Sequence, residues 1–322
     1  MTTYKEIRGT QIEAVSSDPS NPIEGQVWYN TTSNVLKGQA ATAVGAWSTG
    51  GTLNNAKYVT AGAGTKAAAL NFGGGPGQIA KTELYNGSSW SNVNDMNQAK
   101  SLTAGSGSST SAMNYGGNAG INNTELWNGT NWTEVNNLNN ARAHHTGAGS
   151  DSTTAVVAGG TPGSKNETET WNGTNWTEVN TLNTGRSSLR SAGTYTAAIV
   201  FGGNPPSDRN ATESWNGTNW TNVNNLSTGR VSLAGAGTYT SALGFGGENP
   251  SGSQTKTEEW NGTNWTETTD MSTARYGHAG AGNESNNSSG FAISGEAPGG
   301  PTTATEEWSG AGAAQTRTFT TS

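Results

Sequence analysis

Thr168-Glu-Thr-Trp-Asn-Gly-Thr-Asn-Trp-Thr-Glu-Val-Asn-Thr-Leu-Asn-Thr-Gly-Arg186 reads as two short strands around a tight turn, followed by a connector that ends in a cation. Asn172 and Gly173 both accept positive φ at low cost, and an Asn-Gly pair between two strand-like runs is a strong local hairpin signal. The first strand, Thr-Glu-x-Trp, is called c and the second, which opens on Trp176, is called d. The same wording returns at Thr124 to Trp127, Thr212 to Trp215 and Thr257 to Trp260, with Asn-Gly turns beginning at Asn86, Asn128, Asn216 and Asn261.

Working outward from this hairpin exposes a repeat. Trp47, Trp90, Trp132, Trp176, Trp220 and Trp265 are each followed ten residues later by a cation, namely Lys57, Lys100, Arg142, Arg186, Arg230 and Arg275. Seven residues beyond each cation stands a glycine: Gly64, Gly107, Gly149, Gly193, Gly237 and Gly282. The period of 42 to 45 residues fits one four-stranded propeller blade and exceeds a leucine-rich or ankyrin unit. Two further strands precede c in each repeat. Strand a is small and polar, as in Thr60-Ala-Gly-Ala-Gly-Thr65, and strand b is an apolar run ending in two glycines, as in Ala197-Ala-Ile-Val-Phe-Gly-Gly203. Small residues suit the crowded axis of a propeller and tryptophans its wider rim. No segment has helical periodicity, so an all-β chain is expected.

A glycine pair ending b, an aromatic on c, a Trp on d and a cation ten residues later resemble the kelch repeat over residues 44–310. The resemblance implies a six-bladed kelch-like β-propeller with blades of four antiparallel strands. The sixth repeat departs from the pattern: Phe291-Ala-Ile-Ser-Gly-Glu296 lacks the glycine pair, and Glu306-Glu-Trp-Ser-Gly310 has no second Trp after it. The segment around Trp47 is, conversely, a d strand without its own a, b and c. The N-terminal strand is therefore expected to complete the last blade and remove the exposed edges. The tail Gln315-Thr-Arg-Thr-Phe-Thr320 competes for the same slot. The division expected is an arm of residues 1–43 and a propeller of residues 44–322.

The arm falls outside the repeat. Pro19 and Pro22 mark a turn-rich junction, after which Gln26 to Asn30 and Val35 to Lys37 flank a polar four-residue turn and predict a β-hairpin. Two uses are open for it, a cap on the propeller or a docking arm. Asp18-Pro-Ser-Asn-Pro-Ile-Glu-Gly-Gln-Val-Trp-Tyr-Asn30, together with the Trp-Asn-Gly-Thr-Asn-Trp repeats, resembles structural proteins of marine tailed phages. That resemblance implies a non-catalytic virion component, an attachment or decoration module of tail, baseplate or capsid. The arm would bind other virion proteins, and the propeller would face a host-surface glycan or protein. The alternatives are a lectin-like glycan-binding propeller and a cellular kelch interaction scaffold.

Composition narrows the chemistry. The net charge is -7 with no cationic run, which argues against nucleic acid as a partner. There is no cysteine, so thiolate metal sites and the tyrosine–cysteine crosslink of kelch-type copper oxidases are excluded. Asp-box turns, a serine elbow and a P-loop are absent as well, and neither an enzyme nor a cofactor is expected. No apolar segment approaches the roughly 18 residues of a membrane span, and the N-terminus does not read as a signal peptide. Synthesis in a host cytoplasm and residence in a virion are the corresponding expectation.

The recurring charges read as architecture, because a catalytic site would not be written six times. The six cations are expected to pair with Glu83, Glu125, Glu169, Glu213, Glu258 and Glu306 at the start of strand c, within or between blades. His144, His145 and His278 follow two of the cations; adjacent histidines on a strand face opposite ways, which favours ordinary hydrogen-bonded residues over a metal site. The b–c connections vary most between repeats. They supply the candidate binding-face positions Gln78, Asn118, Lys165, Asp208, Arg209 and Asn249, on loops that can differ without disturbing the frame.

Overall fold

The computed structural model describes residues 12–19, 26–41, 44–118, 120–205, 209–282, 287–311 and 314–319. The chain forms two compact units, Ala46–Ser309 on the one hand and Met1–Gly45 with Gly310–Ser322 on the other. Every regular element among the described residues is a β-strand.

Among its described residues the larger unit contains six four-stranded antiparallel sheets, besides two small two-stranded ribbons in the b–c loops. In the first repeat the strands are Ala61–Thr65, Ala68–Phe72, Thr82–Tyr85 and Trp90–Asn92, paired in that order. The last sheet orders Ala279–Ala281, Ser289–Ile293 and Thr305–Ser309, with Ala46–Thr49 in the outer position. Its register places Trp308 opposite Trp47, as Trp171 lies opposite Trp176 and Trp215 opposite Trp220. Each a strand neighbours the a strands of the sheets before and after it, and Ala279–Ala281 neighbours Ala61–Thr65, which closes the cycle.

The c–d turns work differently from the sequence expectation. Glycine alone takes the positive φ, 89° to 93°, while the preceding asparagine acts through its side chain. Asn172 Oδ1, for example, accepts the N–H groups of Thr174 and Asn175. This Asx geometry anchors a four-residue loop.

The core is divided among the junctions between sheets. Six apolar clusters form, each drawing on two neighbouring repeats. One joins Ala69, Tyr85 and Trp90 of the first repeat to Ala279, Phe291 and Ile293 of the last. The d-strand tryptophan reaches backwards: Trp132 packs edge-on against Phe72 and donates its indole N–H to Thr82 Oγ1. Burial of each such ring stabilises by about 2–3 kcal/mol.

The described strands of the smaller unit form one mixed sheet. Val27–Asn30 and Val35–Ala41 form an antiparallel hairpin, and Glu13–Val15 joins its outer edge in parallel. Asp18 ties this sheet together, accepting from Trp28, Asn30 and Lys37, and those bonds hold its carboxyl at about 2. The tail strand Ala314–Phe319 pairs with Val35–Ala41. The expected boundary therefore needs correction: Gly310–Ser322 belongs with the arm and not with the repeats, because its ladder partner is the arm hairpin. The outer position of the last sheet is held by Ala46–Thr49.

Candidate binding face

Two residues past each cation the backbone turns left-handed, at Val59, Leu102, His144, Ser188, Ser232 and Gly277, with φ between 48° and 61°. These six residues form a cyclic chain of backbone hydrogen bonds. Leu102 donates to Val59, His144 to Leu102, Ser188 to His144, Ser232 to Ser188, Gly277 to Ser232, and Val59 to Gly277 at 2.6 Å. A β-branched residue at positive φ is strained, so Val59 keeps this conformation because the ring on both sides fixes it. The ring encircles the axis on the face that carries the b–c loops.

Beneath the face lie the six ion pairs, each formed within one repeat. Arg142 meets Glu169 at 2.6 Å, Arg186 meets Glu213 at 3.0 Å, and Arg230–Glu258 and Arg275–Glu306 each span 2.8 Å. Lys57–Glu83 and Lys100–Glu125 are longer, both 3.5 Å. All twelve side chains are 4% exposed or less. Buried charges at that depth are tolerated only when partnered and hydrogen-bonded. Desolvation pulls Lys57 and Lys100 down to about 8, partly offset by Glu83 and Glu125. Desolvation also lowers Arg186, Arg230 and Arg275, with their glutamates opposing it.

Each glutamate has a second task that the sequence reading missed. Glu169 Oε2 accepts the backbone N–H and Nδ2 of Asn139, and Oε1 accepts the N–H of Asn140. Those residues belong to the connector leaving the preceding repeat. Equivalent bonds run from Asn54 to Glu83, Asn97 to Glu125, Asn183 to Glu213, Ser227 to Glu258 and Ser272 to Glu306. One carboxylate thus neutralises a cation in its own sheet and fixes the chain arriving from the sheet before. The signal was present in the sequence as the polar residue seven places after each d-strand Trp.

The candidate loop positions separate on inspection. Gln78 is exposed. Asn118 donates its backbone N–H to the Ser101 carbonyl and accepts the Ser101 N–H through Oδ1. Lys165 lies 3.5 Å from Glu167, and Asn249 Oδ1 accepts from Ser251 N–H and Gln254 Nε2. Arg209 takes a left-handed φ of 55°, and its carbonyl accepts from Arg230 N–H. Asp208 lies outside the described residues. Asn118, Arg209 and Asn249 are therefore partly committed to loop structure.

Two tyrosines on the same face were not singled out from the sequence. Tyr58 and Tyr276, each one residue past a cation, are half-buried and pair with the b–c loops of their own repeats, at Gly75 and Glu296. Desolvation raises the Tyr276 hydroxyl, and the charges of Glu296 and Glu248 raise it further. Aromatic faces next to carboxylates therefore collect where the last repeats meet the first.

The adjacent histidines do not lie on a strand as expected: both precede Thr146–Ala148, and the left-handed backbone at His144 sets their different surroundings. His145 is buried and its Nε2 lies 3.0 Å from the Tyr115 carbonyl, whereas half-buried His144 contacts Ser188 Oγ at 3.2 Å. Desolvation holds both His145 and His278 well below the usual histidine range. Among the described residues no group of three or more acidic or histidine side chains converges on a metal-sized space.

Comparison with known proteins bears on the fold. The chain is similar to the solved structure of YjhT, with a TM-score of 0.63 and 13% identity, over 80% of this chain and 96% of that one. The repeated four-stranded antiparallel sheets and this likeness identify a β-propeller-like fold. No protein-family model matches the sequence, and no curated protein matches it.

Proposed function

We propose that this chain is a six-bladed kelch-like propeller serving as a non-catalytic structural protein of a tailed-phage virion, an attachment or decoration module with the loop face turned outward. The observation that carries the reading is the separation of tasks along the chain. The repeats commit a buried ion pair in every sheet to architecture, while both chain ends contribute strands to a sheet of their own. A rigid frame with variable loops suits recognition, and a separate terminal sheet suits anchoring. The test is protein identification in purified particles produced with the full chain or with a chain lacking residues 1–43. The full chain is expected in particles at fixed stoichiometry. The truncated chain is expected to stay in the soluble fraction, with tryptophan fluorescence confirming that its repeats are folded. Absence of the full chain from particles contradicts the proposal.

A second reading, a lectin-like module, has its own support in Tyr58 and Tyr276 beside Glu248 and Glu296, since sugars stack on aromatic rings and donate to carboxylates. Saturable hits on a glycan array, lost in Tyr276→Ala, are the expected outcome. An array without hits removes it.

A further inference from the structure

Four residues past the cation, the repeats read Ala61, Ala104, Thr146, Arg190, Ala234 and Ala279. Five small residues share that column with one arginine. Arg190 borders the axial cavity, of about 60 Å³, and also the smaller space under the ring of left-handed residues. It differs from the six ring cations in having no carboxylate beside it among the described residues. Within the same residues the one hydrogen bond of its guanidinium is from Nη1 to the Leu189 carbonyl, 3.1 Å away. Desolvation draws the guanidinium down to about 10 with no opposing charge, so it remains a cation at neutral pH.

The surroundings reinforce this positive charge. Among the described residues no aspartate or glutamate lines the cavity. His145 lines it too, and Arg190 adds to the desolvation that holds His144, His145 and His278 below their ordinary range. The six ring cations are fully buried and each is paired with a glutamate, whereas Arg190 is half-buried, lines the cavity and has no such partner among the described residues. The remaining N–H groups of a guanidinium match an oxyanion in bidentate fashion.

We propose that Arg190 makes the axial cavity a binding site for one small oxyanion. The walls set the size. A Cβ on Gly280 would come 2.3 Å from the Gly235 carbonyl, and one on Gly235 would come 2.5 Å from that of Ser191. Neighbouring a strands are thus in direct backbone contact, and the space of about 60 Å³ that they enclose suits a simple carboxylate or a tetrahedral anion. The site does not depend on what the loop face binds.

The experiment is thermal unfolding of the full chain titrated with sodium sulfate or sodium acetate, with ionic strength held constant by sodium chloride. Wild type, Arg190→Ala and Arg190→Lys are compared. Alanine is the residue most repeats already carry at this position, so Arg190→Ala is expected to fold and to melt no lower than wild type in chloride alone. Wild type is expected to show a saturable rise in midpoint, reduced in Arg190→Lys and absent in Arg190→Ala. A larger response to sulfate identifies a tetrahedral anion, and a larger response to acetate a carboxylate. Equal responses in wild type and Arg190→Ala, or no response to either salt in wild type, overturn the proposal.

Discussion

The first two repeats and the last four solve one problem with different residues. In the last four, an arginine reaches its glutamate at 2.6 to 3.0 Å and donates from Nη1 to two backbone carbonyls, such as those of Gly159 and Glu167 for Arg142. In the first two, a lysine stands 3.5 Å from its glutamate. The strand b residue opposite that glutamate changes with it. Asn71 and Asn114 face Glu83 and Glu125, whereas Val157, Val200, Gly244 and Ala292 face the other four. Each asparagine donates to a strand a threonine, Thr60 or Thr103, and keeps a buried Oδ1 with no donor among the described residues. The planar fork of arginine satisfies three acceptors in fixed directions, and a lysine ammonium does so less well. The lysine repeats are accordingly the weaker part of the ring.

The largest effect expected follows from breaking a pair on the strong side. Arg142→Met leaves Glu169 buried without its cation, at a cost of about 3–5 kcal/mol, read as a lower urea midpoint. Adding Glu169→Leu should restore only part, because the connector N–H groups of Asn139 and Asn140 then lose their acceptor. Lys57→Met should cost less than half as much, since desolvation already weakens that charge. Equal losses would remove the distinction between the two kinds of repeat.

A smaller effect appears on raising the pH. A lysine held at about 8 in the folded chain, against 10.5 when free, imposes a penalty that is fully present below pH 8 and relieved as pH rises towards 10.5. Wild-type stability should therefore rise across that window relative to a chain carrying Lys57→Arg, Asn71→Val, Lys100→Arg and Asn114→Val. Tyrosine ionisation cancels in the difference. Urea midpoints at pH 7.5 and 9.5 measure it, and parallel behaviour of the two chains would contradict it.

The smallest effect lies on the acid side and belongs to the histidines. His145 and His278 titrate well below the usual value when folded, so the unfolded chain binds protons first. Stability is lost as pH falls below about 6.5. His145→Gln with His278→Gln should flatten that slope between pH 6.5 and 5, and an unchanged slope would assign it to other groups.

Much of this architecture is legible in the amino-acid sequence. The spacing of tryptophans, cations and glycines locates the sheets, and the lone d strand at Trp47 together with the incomplete last repeat indicates the swap of strands between them. The place of the tail is not legible, because Thr- and Gln-rich strands pair with either edge and only three-dimensional register chooses. The ring of Val59, Leu102, His144, Ser188, Ser232 and Gly277 is hidden for a different reason. Its bonds are backbone to backbone, so the column shows no common residue type. Arg190 is visible as a break in an otherwise small column, but its lack of a counter-charge among the described residues depends on which side chains the fold brings around it.

Closure of the ring is tested most directly by amide hydrogen exchange, resolved by residue. The bond from Val59 N–H to the Gly277 carbonyl joins the first repeat to the last, and the other five bonds join consecutive repeats. A closed ring gives the Val59 amide the same protection as those of Leu102, His144, Ser188, Ser232 and Gly277. Fast, unprotected exchange at Val59 with slow exchange at the other five would mean an open chain of sheets and would contradict the account.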